Sequence, residues 1–215
     1  MTREWFENVG RSGLGWRVSK EATYDIAMLA LQRGIPGDFV ECGVYAGASV
    51  ALMARAIMDK WEGNSGLEFG VIEGAMWSGP RVHLFDSFQG TPWPGPQDIG
   101  ITEAGGASCP MADVQANMTR WGIPEELLVY HPGWFEHTIL AWARARGLKS
   151  AEEIAVLRLD GDLYSSTKTC LQHLLPLVSP GGWVIVDDFD LPGCREAFTG
   201  IYSPAPIYFR VPEKL

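Results

Sequence analysis

Apolar residues recur along the chain with two alternating periods, one helical and one strand-like. Ser19 to Gly34 (SKEATYDIAMLALQRG) has the helical spacing, with Ser19 as N-cap, Glu21 in the favoured first turn, and Gly34 and Pro36 as the stop. Phe39-Val40-Glu41-Cys42 reads as a short strand, followed by a glycine turn and an Ala-rich helix from Gly47 to Lys60. A second strand is expected over Val82 to Phe85 and a helix over Met111 to Trp121, closed by Gly122 and Pro124. A third strand, Leu127 to Tyr130, precedes a helix from Trp134 to Arg146. Ile154 to Leu159 (IAVLRL) reads as a strand of the buried type. A helix over Tyr164 to Val178 is expected to end at Ser179-Pro180-Gly181-Gly182, before strands over Trp183 to Val186 and Ile207 to Phe209.

Strand and helix alternating this often specify a mostly parallel sheet covered on both faces. Ligands of such sheets sit beyond the carboxyl ends of the strands, so the residues just after each strand carry the functional information. One domain is expected over residues 1–215, with a helical N-terminal region at 1–36. Residues 62–80 and 89–110 break the rhythm; rich in Gly and Pro and carrying Trp77 and Trp93, they are candidate lids or substrate walls.

Composition narrows the function. At 47% hydrophobic and 20% charged residues, 215 residues suffice for one continuous core. No apolar run approaches the roughly 18 residues of a membrane span. The charged, aromatic start (MTREWFEN) lacks a signal-peptide core, so a cytoplasmic location and no membrane partner are expected. A net charge of -9 without a Lys/Arg cluster argues against nucleic acid and is compatible with a cationic ligand or divalent metal. The four cysteines are scattered, with no C-x-x-C pair, and read as reduced thiols.

Five strand ends carry a polar group or a glycine turn. The first, Glu41-Cys42-Gly43-Val44-Tyr45-Ala46-Gly47-Ala48-Ser49, has glycines that permit close backbone approach at a helix N-terminus. It lacks G-x-G-x-x-G, and Glu41 would repel a pyrophosphate but attract the amino group or sulfonium of S-adenosylmethionine. A purely structural turn is the alternative. Asp86, with Ser87, ends the second strand where nucleoside-binding sheets hold a ribose, or serves as a helix cap. In YHPGWFEH (130–137), Gly133 permits close approach, and Trp134 or Phe135 either stacks on an adenine or belongs to the core.

Asp160-Gly161-Asp162 and Asp187-Asp188 end the next two strands, and neighbouring strands would bring Asp160 close to the Asp187-Asp188 pair. Like charges about 4 Å apart cost on the order of 4 kcal/mol at an effective dielectric near 20, so such a cluster needs a cation, protons or water. Carboxylates form a hard oxygen site suited to Mg²⁺, Ca²⁺ or Mn²⁺; solvated helix caps are the alternative.

GDFVECGVYAG, LFDSFQGTP, GWFEHT, LRLDGDLYSST, SPGGWVIVDDF and GCREAF, in that order from about Gly37 to Phe198, resemble the successive motifs of the macrocin O-methyltransferase family. The resemblance implies an α/β, Rossmann-like class I methyltransferase fold: a mostly parallel seven-stranded sheet with helices on both faces. It implies S-adenosylmethionine as methyl donor and Mg²⁺ held by Asp160, Asp187 and Asp188, with Asp160 and Asp162 as the catalytic pair and Asp162 as general base. The cofactor-binding set is then Glu41, Gly43, Val44, Tyr45, Gly47, Ser49, Asp86, Ser87, Gly133 and Trp134.

The chain departs from the family pattern in the compressed GIYSPAPIYFRVPEKL at its end and in a longer Asn64 to Pro80 segment, which puts acceptor identity in doubt. A hydroxylated small molecule, a sugar or antibiotic-type natural product, is the expected acceptor, with a phenol or catechol as alternative. An inactive nucleoside-binding scaffold is the second reading, and the oligomeric state is open. A nucleotide-dependent dehydrogenase is disfavoured by Glu41 and the missing dinucleotide motif.

Overall fold

A computed structural model describes residues 3–10, 17–65, 77–146, 153–200 and 208–211. Its strands are β1 (Asp38–Cys42), β2 (Val82–Asp86), β3 (Leu128–Pro132), β4 (Ile154–Leu159), β5 (Val178–Val186) and β6 (Tyr208–Arg210). They form one sheet in the order β3-β2-β1-β4-β5-β6. The first five are parallel and β6 is antiparallel to β5. The expectation of seven strands is therefore corrected to six among the described residues. Between β5 and β6 the described chain folds as helix α7 (Pro192–Thr199), which leaves a single antiparallel strand at that edge.

The other helices are α1 (Arg3–Gly10), α2 (Arg17–Gln32), α3 (Ala48–Ser65), α4 (Met111–Arg120), α5 (Phe135–Arg146) and α6 (Tyr164–Leu174). Alternation along the strands sends side chains to opposite faces. Phe39, Leu84, Val156 and Ile185 pack in the core with residues of α2, α3 and α4. Val40, Phe85, Leu157 and Val184 pack in a second core with residues of α5, α6 and α7.

Helix α2 begins at Arg17, so Ser19 lies inside its first turn rather than at the cap. The helix closes as expected: Gly34 adopts a left-handed φ of 65°, its amide donates to Leu31 O, and the amide of Ile35 donates to Ala30 O. Helix α6 is shorter than its sequence pattern. Pro176 sits in a 3₁₀ turn over Leu175–Leu177, and β5 has already begun at Val178. Ser179-Pro180-Gly181-Gly182 thus belongs to a strand, accommodated by a register shift against β4 between Ile154 and Val156. No helix among the described residues is long and apolar enough to cross a membrane.

The chain runs from β1 outward through β2 and β3, then returns to build β4 and β5 on the other side of β1. This reversal opens a crevice beyond the carboxyl ends of β1 and β4.

Candidate active site

A cavity of about 340 Å³ occupies that crevice. Gly43, Val44, Tyr45 and Ser49 line it from the turn after β1, Asp86 and Ser87 from the end of β2, and Trp134 from the start of α5. Asp160, Asp162, Asp187 and Asp188 line it from the ends of β4 and β5. Glu41, Gly47 and Gly133 are not among the lining residues.

The turn after β1 is held by Asp86. Its Oδ2 accepts the amides of Val44 at 2.7 Å and Tyr45 at 3.3 Å, and its Oδ1 accepts the amide of Phe88 at 2.7 Å. Each of the three glycines answers a local packing demand. A Cβ on Gly43 (φ 91°) would lie 1.6 Å from the carbonyl oxygen of Asp160, so β4 itself takes up that space. A Cβ on Gly47 would meet Met118 Cε of α4 at 2.2 Å. The amide of Gly133 (φ 135°) donates to Asp86 O at 2.9 Å.

Glu41 is fully buried behind Ser49, whose hydroxyl donates to Glu41 Oε1. The other oxygen, Oε2, is buried without a hydrogen-bond partner. Burial pushes the Glu41 carboxyl up to about 7 against the pull of Arg158 and Ser49.

The three acids expected to meet do so. Asp160, Asp187 and Asp188 each place a carboxylate oxygen within 4.8 Å of the others. Asp162 takes a left-handed φ of 60°, and its amide donates to Asp188 Oδ2 at 2.9 Å. Burial, then the charges of Asp160 and Asp162, push the Asp188 carboxyl up to about 8. Burial and the charges of Asp160, Asp187 and Asp86 push Asp162 up to about 6. Asp160 is also raised, by burial first and by Asp187, despite the opposing pull of Arg158. Burial is the largest cause of all three shifts and neighbouring carboxylates add to it, so a cation among them would lower all three.

Two cations in the site were not anticipated from the sequence. Arg158, 3% exposed, reaches Glu41 Oε1 at 2.7 Å and Asp160 Oδ2 at 2.5 Å through Nη1, and Asp187 Oδ1 at 3.0 Å through Nη2. Burial alone would lower its pKa; the attraction of Asp160, Glu41 and Asp187 overrides this and holds it raised. Lys20 of α2 is buried, and its ammonium donates to Gly10 O at 2.9 Å. Burial and Arg158 lower its pKa, while Asp187 and Asp160 oppose them. A signal for Arg158 did exist: it is the one charged residue in IAVLRL, and two-residue periodicity puts it on the face of Asp160.

The 89–110 loop forms one wall, through Gly90, Thr91, Pro92, Gly106 and Ala107. Its neck is tied: the Thr91 amide donates to Gly106 O at 2.9 Å, and the Gly105 amide to Thr91 O at 2.8 Å. Asp98 is buried and accepts the amide of Tyr164, the first residue of α6, at 2.6 Å and that of Gly95 at 2.8 Å. The loop therefore supplies the helix cap that Leu163 cannot. Trp93 is 77% exposed beside the lining Pro92. In the other candidate wall, 62–65 continues α3 and 77–80 leads into β2; residues 66–76 lie outside the described residues.

The sequence profile of TylF, Macrocin-O-methyltransferase, matches residues 21–203. The chain is 33% identical over 202 residues to the 8-demethyl-8-(2,3-dimethoxy-alpha-L-rhamnosyl)-tetracenomycin-C 4'-O-methyltransferase of Streptomyces olivaceus, covering 91% of this chain and 68% of that protein. It is 34% identical over 177 residues to the Mycinamicin III 3''-O-methyltransferase of Micromonospora griseorubida, covering 78% and 61%. The solved structure of the O-methyltransferase NovP superposes with a TM-score of 0.65 at 27% identity, covering 90% of this chain and 79% of that one. The chain thus spans about two thirds of the length of these two curated relatives.

Proposed function

The chain belongs to the TylF macrocin-O-methyltransferase family, which makes it an enzyme of the O-methyltransferase class, and we propose that it methylates a sugar hydroxyl of a glycosylated small molecule. In this reading S-adenosylmethionine is the donor, and Mg²⁺ is held by Asp160, Asp187 and Asp188. The observation that carries the reading is the convergence of these three acids on one cavity with the β1 turn and Asp86.

The donor sets fit both groups. Three carboxylates offer hard oxygens to a small divalent ion, and burial beside neighbouring carboxylates raises the pKa values of Asp160 and Asp188, which a cation would lower. Val44, Tyr45, Ser49, Asp86 and Ser87 line the cavity as a polar cradle that would hold the nucleoside, with Glu41 buried behind Ser49. When bound, the sulfonium supplies the methyl group, and the ion lowers the pKa of the acceptor hydroxyl.

The remaining work falls to the chain. The turn after β1 and Asp86 form the floor on which the nucleoside lies. Asp162 would accept the acceptor hydroxyl's proton on its carboxylate during methyl transfer. A carboxyl raised to about 6 is a better base for an alcohol than one at its ordinary value. The wall formed by Gly90, Thr91 and Pro92 helps exclude water and orient the acceptor.

The test is a radiolabelled methyl-transfer assay over a panel of glycosylated and phenolic compounds, in EDTA and again with Mg²⁺. Turnover of a glycosylated compound, abolished by EDTA and restored by Mg²⁺, is expected. Full activity in chelator would end the metal part of the reading, and turnover of phenols alone would end the sugar part.

A further inference from the structure

Arg158 is the only charged residue of β4, and its neighbours explain why the sheet tolerates it. Strand register sets Glu41 of β1 and Ile185 of β5 beside Arg158. Two residues farther on, Asp160 and Asp187 continue the same face of β4 and β5. A planar guanidinium at that place meets three carboxylates from three strands or strand ends, at 2.7, 2.5 and 3.0 Å. The fork geometry matters, because one nitrogen serves Glu41 and Asp160 while the other serves Asp187.

This arrangement rations oxygens. Arg158 occupies Oδ2 of Asp160 and Oδ1 of Asp187, and the Asp162 amide occupies Oδ2 of Asp188. An oxygen that already accepts a charged or backbone donor is the weaker ligand, so each acid is biased toward ligation through its other oxygen. Ca²⁺ takes six to eight oxygens at roughly 2.3–2.6 Å and draws on two-oxygen ligation by carboxylates, whereas Mg²⁺ takes six at about 2.0–2.1 Å and keeps several waters. Mn²⁺ shares the preference for six hard ligands.

Building on the metal reading above, we propose that Arg158 is a positioning residue that sets ion selectivity, biasing Asp160 and Asp187 toward single-oxygen ligation and so favouring Mg²⁺ or Mn²⁺ over Ca²⁺. The proposal concerns the shape of the guanidinium as well as its charge. Arg158→Lys separates the two, since an ammonium keeps the charge and cannot grip both acids in the plane of a fork.

Titration calorimetry of the full chain with S-adenosylhomocysteine present, using Mn²⁺, Mg²⁺ and Ca²⁺ separately, tests it. The parent is expected to bind Mn²⁺ and Mg²⁺ at least tenfold more tightly than Ca²⁺. Arg158→Lys is expected to narrow that ratio threefold or more when both proteins are titrated at saturating S-adenosylhomocysteine. Equal affinity of the parent for Ca²⁺ and Mg²⁺, or an unchanged ratio in a folded Arg158→Lys, overturns the selectivity role and leaves the metal reading standing. Failure of the parent to bind any of the ions overturns both. A crystal structure of the parent with Mn²⁺ provides a measurement independent of the variant's folding. Single-oxygen ligation by Asp160 and Asp187 is expected there, and two-oxygen ligation by either overturns the proposal.

Discussion

The amide of Asp162 donates to Oδ2 of Asp188 at 2.9 Å, which sets the proposed base directly against one of the proposed metal acids. Asp162 reaches this position with a left-handed backbone, φ 60°, that Asn also adopts readily. Asp162→Asn therefore removes the charge with little disturbance of the turn. It should lower kcat by about 10²- to 10⁴-fold, the usual range for losing a general base. Affinity for S-adenosylhomocysteine, read by calorimetry, should stay within twofold. Near-normal turnover would remove Asp162 as base.

Asp160→Asn should abolish measurable Mg²⁺ binding and most of kcat together, because Asp160 is both a proposed ligand and a partner of Arg158. Binding of Mn²⁺, followed by the resonance of the free ion, gives a readout separate from turnover. A variant that binds Mn²⁺ like the parent would remove Asp160 from the ligand set.

The pH dependence of stability follows from the acids whose pKa values are raised: Glu41 to about 7, Asp162 to about 6 and Asp188 to about 8. A carboxyl whose pKa is higher folded than unfolded stabilises the fold fully below its unfolded pKa and loses that contribution as pH rises through the folded value. Without metal, the melting temperature should fall between pH 6 and pH 8, and Mg²⁺ should reduce the fall. For a chain of this size, about 1 kcal/mol corresponds to roughly 2–4 °C. Thermal melts in EDTA that are level or rising across this interval would contradict the expectation.

Asp98→Ala removes the oxygen that accepts the first amide of α6 and pins the loop wall. Loss of a cap costs about 1 kcal/mol. The acceptor KM should rise severalfold while affinity for S-adenosylhomocysteine is kept, since Asp98 pins the 89–110 loop, the proposed acceptor wall, and makes no bond to the turn after β1. A variant whose acceptor KM is unchanged would show that the pin does not shape that wall.

Gly43→Ala should prevent a native site from forming. The added methyl would lie 1.6 Å from a backbone oxygen, at a φ of 91° that L side chains rarely adopt. Insoluble protein, or soluble protein that no longer binds S-adenosylhomocysteine, is the expected result; a soluble variant with parental affinity would count against the packing account.

The meeting of Asp160 with Asp187 and Asp188 was legible in the sequence because each acid directly follows an apolar strand, and adjacent parallel strands end together. The glycine turn and Asp86 were legible for the same reason. Arg158 was legible only as the one charged residue of IAVLRL; its role was hidden because two of the partners that make a buried guanidinium tolerable, Glu41 and Asp187, come from other strands or strand ends. Asp98 was hidden differently: its partner Tyr164 is 66 residues away along the chain, and nothing local marks a cap supplied from so far. The α6–β5 boundary misled because Ser179-Pro180-Gly181-Gly182 looks like a helix terminator, whereas the helix already gives way to a 3₁₀ turn at Pro176 and the Ser-Pro-Gly-Gly stretch makes an irregularity in a strand. Helix α7 has only eight residues, too few for its period to stand out.

The tied neck at Thr91, Gly105 and Gly106 has an engineering consequence. Because the ends of the loop are already joined, residues 92–104 behave as an exchangeable cassette. Doubling the length of such a loop costs only about 0.6 kcal/mol in closure entropy. Under the proposed function, a cassette exchanged with the Asp98 pin kept would be expected to change acceptor preference while the β1 turn keeps its place.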